Sequence, residues 1–182
     1  PTRALRHSQP ANLSAADAHT KEYKVKAALL YNFLKYARFP DGTFPKKSAP
    51  VTILVVGKNP FGPILEKVLG KKKAGGRPFK FESTESIPKG EIKAQLVFAS
   101  GLDEGAQQQL VKKLAKKPVL LVGEMDGFAE RGGFINLYLE KGKVRFAINT
   151  NCQKSTGIQL KAELLKLAKL VKSKKDTSGG GR

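Results

Sequence analysis

Three short stretches of the chain are apolar at nearly every position: residues 51–56 (VTILVV), 95–99 (QLVFA) and 118–122 (PVLLV). A strand with one wet face alternates polar and apolar side chains, so an unbroken apolar run points to a strand covered on both faces. Between the second and third runs, residues 103–116 carry Leu110, Val111 and Leu114 at helical spacing and stop before Pro118. Residues 61–69 read as a short helix closed by Gly70, and residues 78–82 alternate as a strand with Phe79 and Phe81 on one face. Strands alternating with helices over residues 51–122 predict βαβ units and an α/β layer architecture.

The flanks complete the plan. A first helix is expected over residues 14–38, with Ser14 and Asp17 as a capping pair and a stripe of Val25, Leu29, Phe33 and Tyr36. Phe39-Pro40-Asp41-Gly42 ends it. Residues 134–140 and 143–149, joined by Lys141-Gly142, read as an antiparallel hairpin. A short helix or turn over 151–155 is broken by Gly157, and a last helix is expected over 161–172 with Leu160, Leu164, Leu167 and Val171 buried. The fold class is therefore α/β: a single domain with a mixed, mostly parallel sheet of about five to six strands flanked by helices, then a C-terminal hairpin and helix. The expected organisation is a flexible segment over 1–16, a folded body over 17–173 and a flexible tail over 174–182. The first residues, starting without Met, read as a trimmed terminus from which a secretory signal has been removed.

Composition narrows the chemistry. No run of 18 or more apolar residues reads as a membrane span. One cysteine makes no internal disulfide, and no Cys/His cluster has zinc-site spacing. Both histidines, His7 and His19, precede the first hydrophobic run, so no histidine is expected in the folded body to activate a serine or Cys152. Residues 71–76 lack the spacing of a phosphate loop. Asp103 and Glu104 open a helix, where negative charge is favourable without any catalytic role. No catalytic constellation, metal site or cofactor is expected. A formal charge of +19 would attract nucleic acid, anionic lipid or an acidic protein. The aromatics are not interleaved with lysine as a base-stacking platform requires, so specific nucleic-acid binding is not expected.

One loop stands out as a ligand candidate, namely Asp126, Gly127, Arg131, Gly132 and Gly133, since loops after the carboxyl ends of sheet strands often hold ligands. The alternative is a reversal of the chain with Phe128 plugged into the core. Phe128, Phe134 and Leu137, with Ile158 and Leu160 before the last helix, are candidate anchors for a protein partner, or else core residues.

The order of these motifs resembles the YfiR-like family of small secreted bacterial proteins. The resemblance rests on residues 26–36 (KAALLYNFLKY) followed by Phe39-Pro40, on 51–57 with 59–62 (NPFG), and on 127–136 (GFAERGGFIN). It continues through 144–149 (VRFAIN), 157–160 (GIQL) and 164–168 (LLKLA). It implies a non-enzymatic periplasmic regulator that binds the sensing domain of an inner-membrane diguanylate cyclase and represses cyclic di-GMP synthesis and biofilm formation. It also implies a homodimer, with an outer-membrane lipoprotein in the same pathway. Regulatory members resemble redox-responsive proteins with cysteine pairs, and here Cys152 stands alone, so at most it could cross-link two chains. Two further readings stay open: a periplasmic small-molecule or anion-binding module using the 126–133 loop, and a basic nucleic-acid-binding protein.

Overall fold

The chain begins its described part, residues 14–174 of this computed structural model, at a capped helix. His7 and most of the two flexible ends expected from sequence lie outside the described residues. Helix α1 (Ala15–Lys35) starts where the Ser14 hydroxyl accepts from the Asp17 backbone N–H at 3.2 Å. Its buried face is Tyr23, Lys26, Ala27, Leu30, Phe33 and Leu34. This corrects the expected stripe: Val25 is 43% exposed, and Leu29 and Tyr36 are half-buried. Periodicity places a lysine outside, but Lys26 finds carboxylates at the core margin, which turns the helix by about one residue position. His19 lies in this helix and packs on Tyr23, so the expectation that the folded body holds no histidine is corrected.

The strands follow in the order β1 (Ala37–Arg38), β2 (Val51–Gly57), β3 (Lys73–Ala74), β4 (Arg77–Thr84), β5 (Leu96–Ser100), β6 (Leu120–Gly123), β7 (Ile135–Glu140), β8 (Lys143–Asn149), β9 (Gln159–Leu160) and β10 (Lys169–Val171). Between them lie helices α2 (Ile64–Leu69), α3 (Glu104–Leu114), α4 (Asn151–Thr156) and α5 (Ala162–Leu165). Eight strands form one sheet in the order β10-β8-β7-β6-β5-β2-β4-β3, while β1 pairs with β9. The sheet is parallel from β4 through β2, β5 and β6 to β7, the hairpin partner β8 runs antiparallel to β7, and β10 is parallel to β8. It is wider than five to six strands because the two-residue β3 and three-residue β10 extend its edges.

All three apolar runs are strands buried on both faces. One face packs Ile53, Val55, Phe98 and Val122 against α1 and α2; the other packs Leu54, Val56, Val97 and Leu121 against Leu110 and Leu114 of α3. The hairpin turn is as expected, with Lys141 at φ 50° and Gly142 at φ 74°, the pair of left-handed residues a tight two-residue turn needs. The expected last helix is corrected. Its helical part is the single turn of α5, after which residues 169–171 pair with β8 as β10. Leu164 stays buried but Leu167 is 74% exposed. The period of leucines is helical, but the free edge of β8 offers unpaired backbone groups, and joining that edge satisfies them.

Candidate functional site

The carboxyl ends of the central strands converge on a polar cluster. Adjacent strands β2 and β5 send their following connections to opposite faces, α2 to one and α3 to the other, so the chain reverses its winding there. Ser100 ends β5, and Glu124 follows β6 directly. From α1, Tyr23 donates to both Glu124 oxygens at 3.0 and 2.9 Å, and the Lys26 ammonium meets Glu124 Oε2 and Glu22 Oε1 at 2.6 Å each. The Ser100 hydroxyl donates to Glu124 Oε1 at 3.0 Å. Lys26 also lies 4.4 Å from the centroid of the Tyr23 ring, against which His19 packs at 4.5 Å. His19 Nε2 stands 2.8 Å from the Pro60 carbonyl oxygen.

Burial opposes the charge on Lys26, but hydrogen bonds to Glu124 and Glu22 and the charge of Glu124 outweigh it, so its pKa is raised. Burial, helped by the hydrogen bond and charge of Glu124, pushes the Tyr23 hydroxyl up to about 12. A charged lysine is no nucleophile and a neutral phenol no base at neutral pH. The cluster therefore clamps α1 to the ends of β5 and β6. Sequence reasoning missed it because its members lie about a hundred positions apart. The one local signal is Lys26 at i+4 from Glu22 and beside Ala27, Leu30 and Phe33 in a mostly apolar segment.

The 126–133 loop lies between β6 and β7. Gly127 and Gly132 have φ of 72° and 106°, Asp126 is exposed, and Arg131 donates through Nη1 to the Asp126 carbonyl at 2.8 Å. A side chain on Gly133 would collide with the ring of Phe128. The loop is thus folded onto itself, with its guanidinium turned inward. Cys152, next to it, has its thiol 3.7 Å from the Gly132 and Gly133 carbonyls. Burial pushes that thiol up to about 12, so the N-terminal position in α4 does not activate it.

The five candidate anchors are core residues in this chain: Phe128 and Phe134 are 1% exposed, Leu137 and Ile158 0%, and Leu160 6%. The structure gathers Phe134, Leu137, Ile158 and Leu160 into the cluster under α1 and puts Phe128 in the one under α3. The large exposed apolar residues lie elsewhere. On β7, Leu139 continues the face of Ile135 and Leu137; in register, Val144 lies opposite Leu139, and Leu170 beside Ile148. Leu139 and Leu170 are each 54% exposed, so the apolar face of this margin runs out of the core into solvent. No helix among the described residues is long and apolar enough to cross a membrane, and none of their His, Cys, Asp and Glu side chains form a group able to hold a metal.

A family model described as YfiR/HmsC-like matches residues 23–169. No curated protein matches the chain. Among solved structures, it is similar to the ABC domain in complex with L-Trp from Streptococcus pneumonia, at 14% identity and a TM-score of 0.47. The match covers 66% of this chain and 56% of that one, little more than half of its length.

Proposed function

Because the chain belongs to the YfiR/HmsC-like family, known in general as periplasmic regulators of diguanylate cyclases, we propose that it is a non-enzymatic periplasmic repressor. It binds the sensing domain of an inner-membrane diguanylate cyclase and holds cyclic di-GMP synthesis down. The observation that carries the contact surface is the sheet margin: Leu167 and Leu170 stand in solvent before and on the edge strand β10, and Leu139 stands in solvent on β7 beside the hairpin turn. A strand edge with exposed apolar side chains invites another chain. Lys141 and Lys143 at the hairpin and Lys166 and Lys169 before and on β10 add positive charge to this margin, which suits an acidic partner and speeds its encounter.

Turning a two-state cyclase from nearly always on to nearly always off takes differential binding of about 5.5 kcal/mol. A few buried leucine contacts supply that. The same margin in a second copy is our proposal for the homodimer contact. The anion-binding alternative is weakened by Arg131, whose guanidinium is bonded within its own loop.

The test is complementation of a host strain lacking the gene. Loss of the gene should raise cyclic di-GMP, and the natural chain should restore the low level. Leu139→Asp with Leu170→Asp should fold but leave the level high. An unchanged level on gene loss overturns the cyclase reading; full repression by the double variant overturns the surface.

A further inference from the structure

Parallel strands give a sheet two unlike ends, and charged side chains sort between them. At the carboxyl ends of β5 and β6, Glu124 and Asp126 follow β6, and Asp103 and Glu104 open α3. The amino ends are reached through segments that carry lysine: Lys46 and Lys47 before β2, Lys89 and Lys93 before β5, Lys116 and Lys117 before β6. All six are exposed. Strand β2 has seven residues, so at about 3.3 Å per residue the two ends stand roughly 20 Å apart. That exceeds the screening length of about 8 Å at physiological salt, so the two ends act on their surroundings independently.

The lysines at the amino ends are held near one another. Lys80, Lys93 and Lys117 line a single groove of about 500 Å³ together with Pro45 and Ala49 of the loop before β2. Glu91 lines it too, and Lys80 pairs with Glu82 at 2.7 Å. Arg77 Nη1 donates to the Lys46 and Lys47 carbonyls at 2.8 and 2.7 Å, which fixes that loop at the start of β4. Lys113 Nζ donates to the Pro88 and Lys89 carbonyls at 2.7 and 3.2 Å, tying the last turn of α3 to the segment before β5. The helix dipole accounts for cations at the end of α3. It gives no reason for Lys46, Lys47, Lys89 and Lys93, which belong to no helix. The large exposed apolar residues, Val25, Leu139, Leu167 and Leu170, lie outside this groove, so it offers a protein partner no apolar anchor.

We propose that the amino-end face of the sheet docks on an anionic lipid surface, with its lysines set among the phosphate headgroups. Such a surface presents diffuse negative charge, which calls for several cations at one level and for neither a base-stacking platform nor an apolar anchor. Lysine, a compact point charge, suits that field, whereas the guanidinium fork suits paired contacts to a defined phosphate. Docking there leaves the β10 margin, at the side of the sheet, free for a protein partner. The proposal goes beyond the cyclase reading and stands without it, since vesicle binding is measured with no cyclase present.

The test is co-sedimentation of the full chain at physiological salt with vesicles of phosphatidylcholine alone or with about one-third phosphatidylglycerol. The chain should pellet with the anionic vesicles and stay in solution with the neutral ones. Each lysine held near an anionic surface is worth about fivefold in partitioning. Lys89→Gln, Lys93→Gln, Lys116→Gln and Lys117→Gln combined should therefore weaken binding by more than about a hundredfold. The same number of exposed lysines removed elsewhere, as Lys21→Gln, Lys24→Gln, Lys58→Gln and Lys67→Gln, should cost less than about tenfold. If the first set fails to fold, Lys46→Gln with Lys47→Gln, in an exposed loop, carries the test with an expected loss of about twentyfold. Equal losses from the two sets would mean that net charge acts without a docking face, and would overturn the proposal. Absence of binding to the anionic vesicles, or equal binding to the neutral ones, overturns it as well. So does tighter binding to a DNA duplex than to vesicles at the same salt, lost in the first set, which assigns these lysines to nucleic acid.

Discussion

The centre of the sheet and its margin at β10 are built from similar leucines and valines under opposite conditions. Strand β2 is buried at every residue and has parallel neighbours on both sides. Strand β10 has one neighbour, and Leu170 is 54% exposed. The centre gains transfer free energy on two faces and from two backbone ladders, so it fixes the fold. The margin contributes little to stability, which leaves its side chains free to meet another molecule. Between the two lies the Tyr23–Lys26–Glu124 clamp, which joins α1 to the central strands through charge instead of apolar area.

That contrast is broken first at the centre. Phe98 is 0% exposed on β5 and packs edge-on against Phe61 at 4.9 Å. Phe98→Ala should cost about 4 kcal/mol, a cavity that rigid neighbours cannot close. Thermal unfolding should fall by roughly 10 °C for a chain of this size. A fall of a degree or two would show that the centre is no stiffer than the margin.

The clamp comes next. Lys26→Met leaves Glu124 with neutral donors and no counter-charge, and should cost about 3 kcal/mol in urea unfolding. Adding Glu124→Leu should recover part of that, because removing both members of a buried pair is cheaper than removing one. If the double variant is as unstable as the sum of the singles, the pair is not coupled and the clamp is only packing.

A smaller effect follows from pH. The Tyr23 pKa rises from 10.0 to about 12, by burial first and then through Glu124. A raised pKa means the folded state favours the protonated phenol. Its contribution is complete below pH 10, the unfolded value, and is lost as pH climbs through about 12. Stability should drop across that window by about 2 kcal/mol more in the natural chain than in Tyr23→Phe. Lysine titrations elsewhere are common to both proteins and cancel in the difference. Equal slopes would mean the phenol is not held by the carboxylate.

How much could be read in advance follows the same division. The runs at 51–56, 95–99 and 118–122 declare themselves because every residue there except the half-buried Pro118 is buried, so composition alone carries the signal. The hairpin was legible from Lys141-Gly142 because turn geometry is local. Leu160, Leu164, Leu167 and Val171 follow a helical period, but Val171 belongs to strand β10, which exists through pairing with β8, and no local pattern encodes an edge that another strand leaves open. The clamp was hidden for a related reason: Lys26 and Glu124 are 98 positions apart, and each alone reads as a solvated charge. The candidate anchors Phe128, Phe134 and Leu137 by the Gly-rich loop and hairpin, and Ile158 and Leu160 before the expected last helix, stand out by their apolar character, and that character is what puts them inside.

The margin itself provides the last and smallest test. Leu170 lies in register with Ile148, whose side chain is fully buried, yet Leu170 is 54% exposed. Leu170→Asp therefore removes little buried area and keeps the backbone ladder to β8, and should change unfolding free energy by no more than about 0.5 kcal/mol. The new charge, set among lysines, even relieves local repulsion slightly. A loss of 2 kcal/mol or more, on the scale of a buried leucine, would show that Leu170 is packed in solution, as it would be if two copies of the chain already met along this edge. Diluting the protein distinguishes the cases, because stability that depends on a second copy falls with concentration and stability within one chain does not.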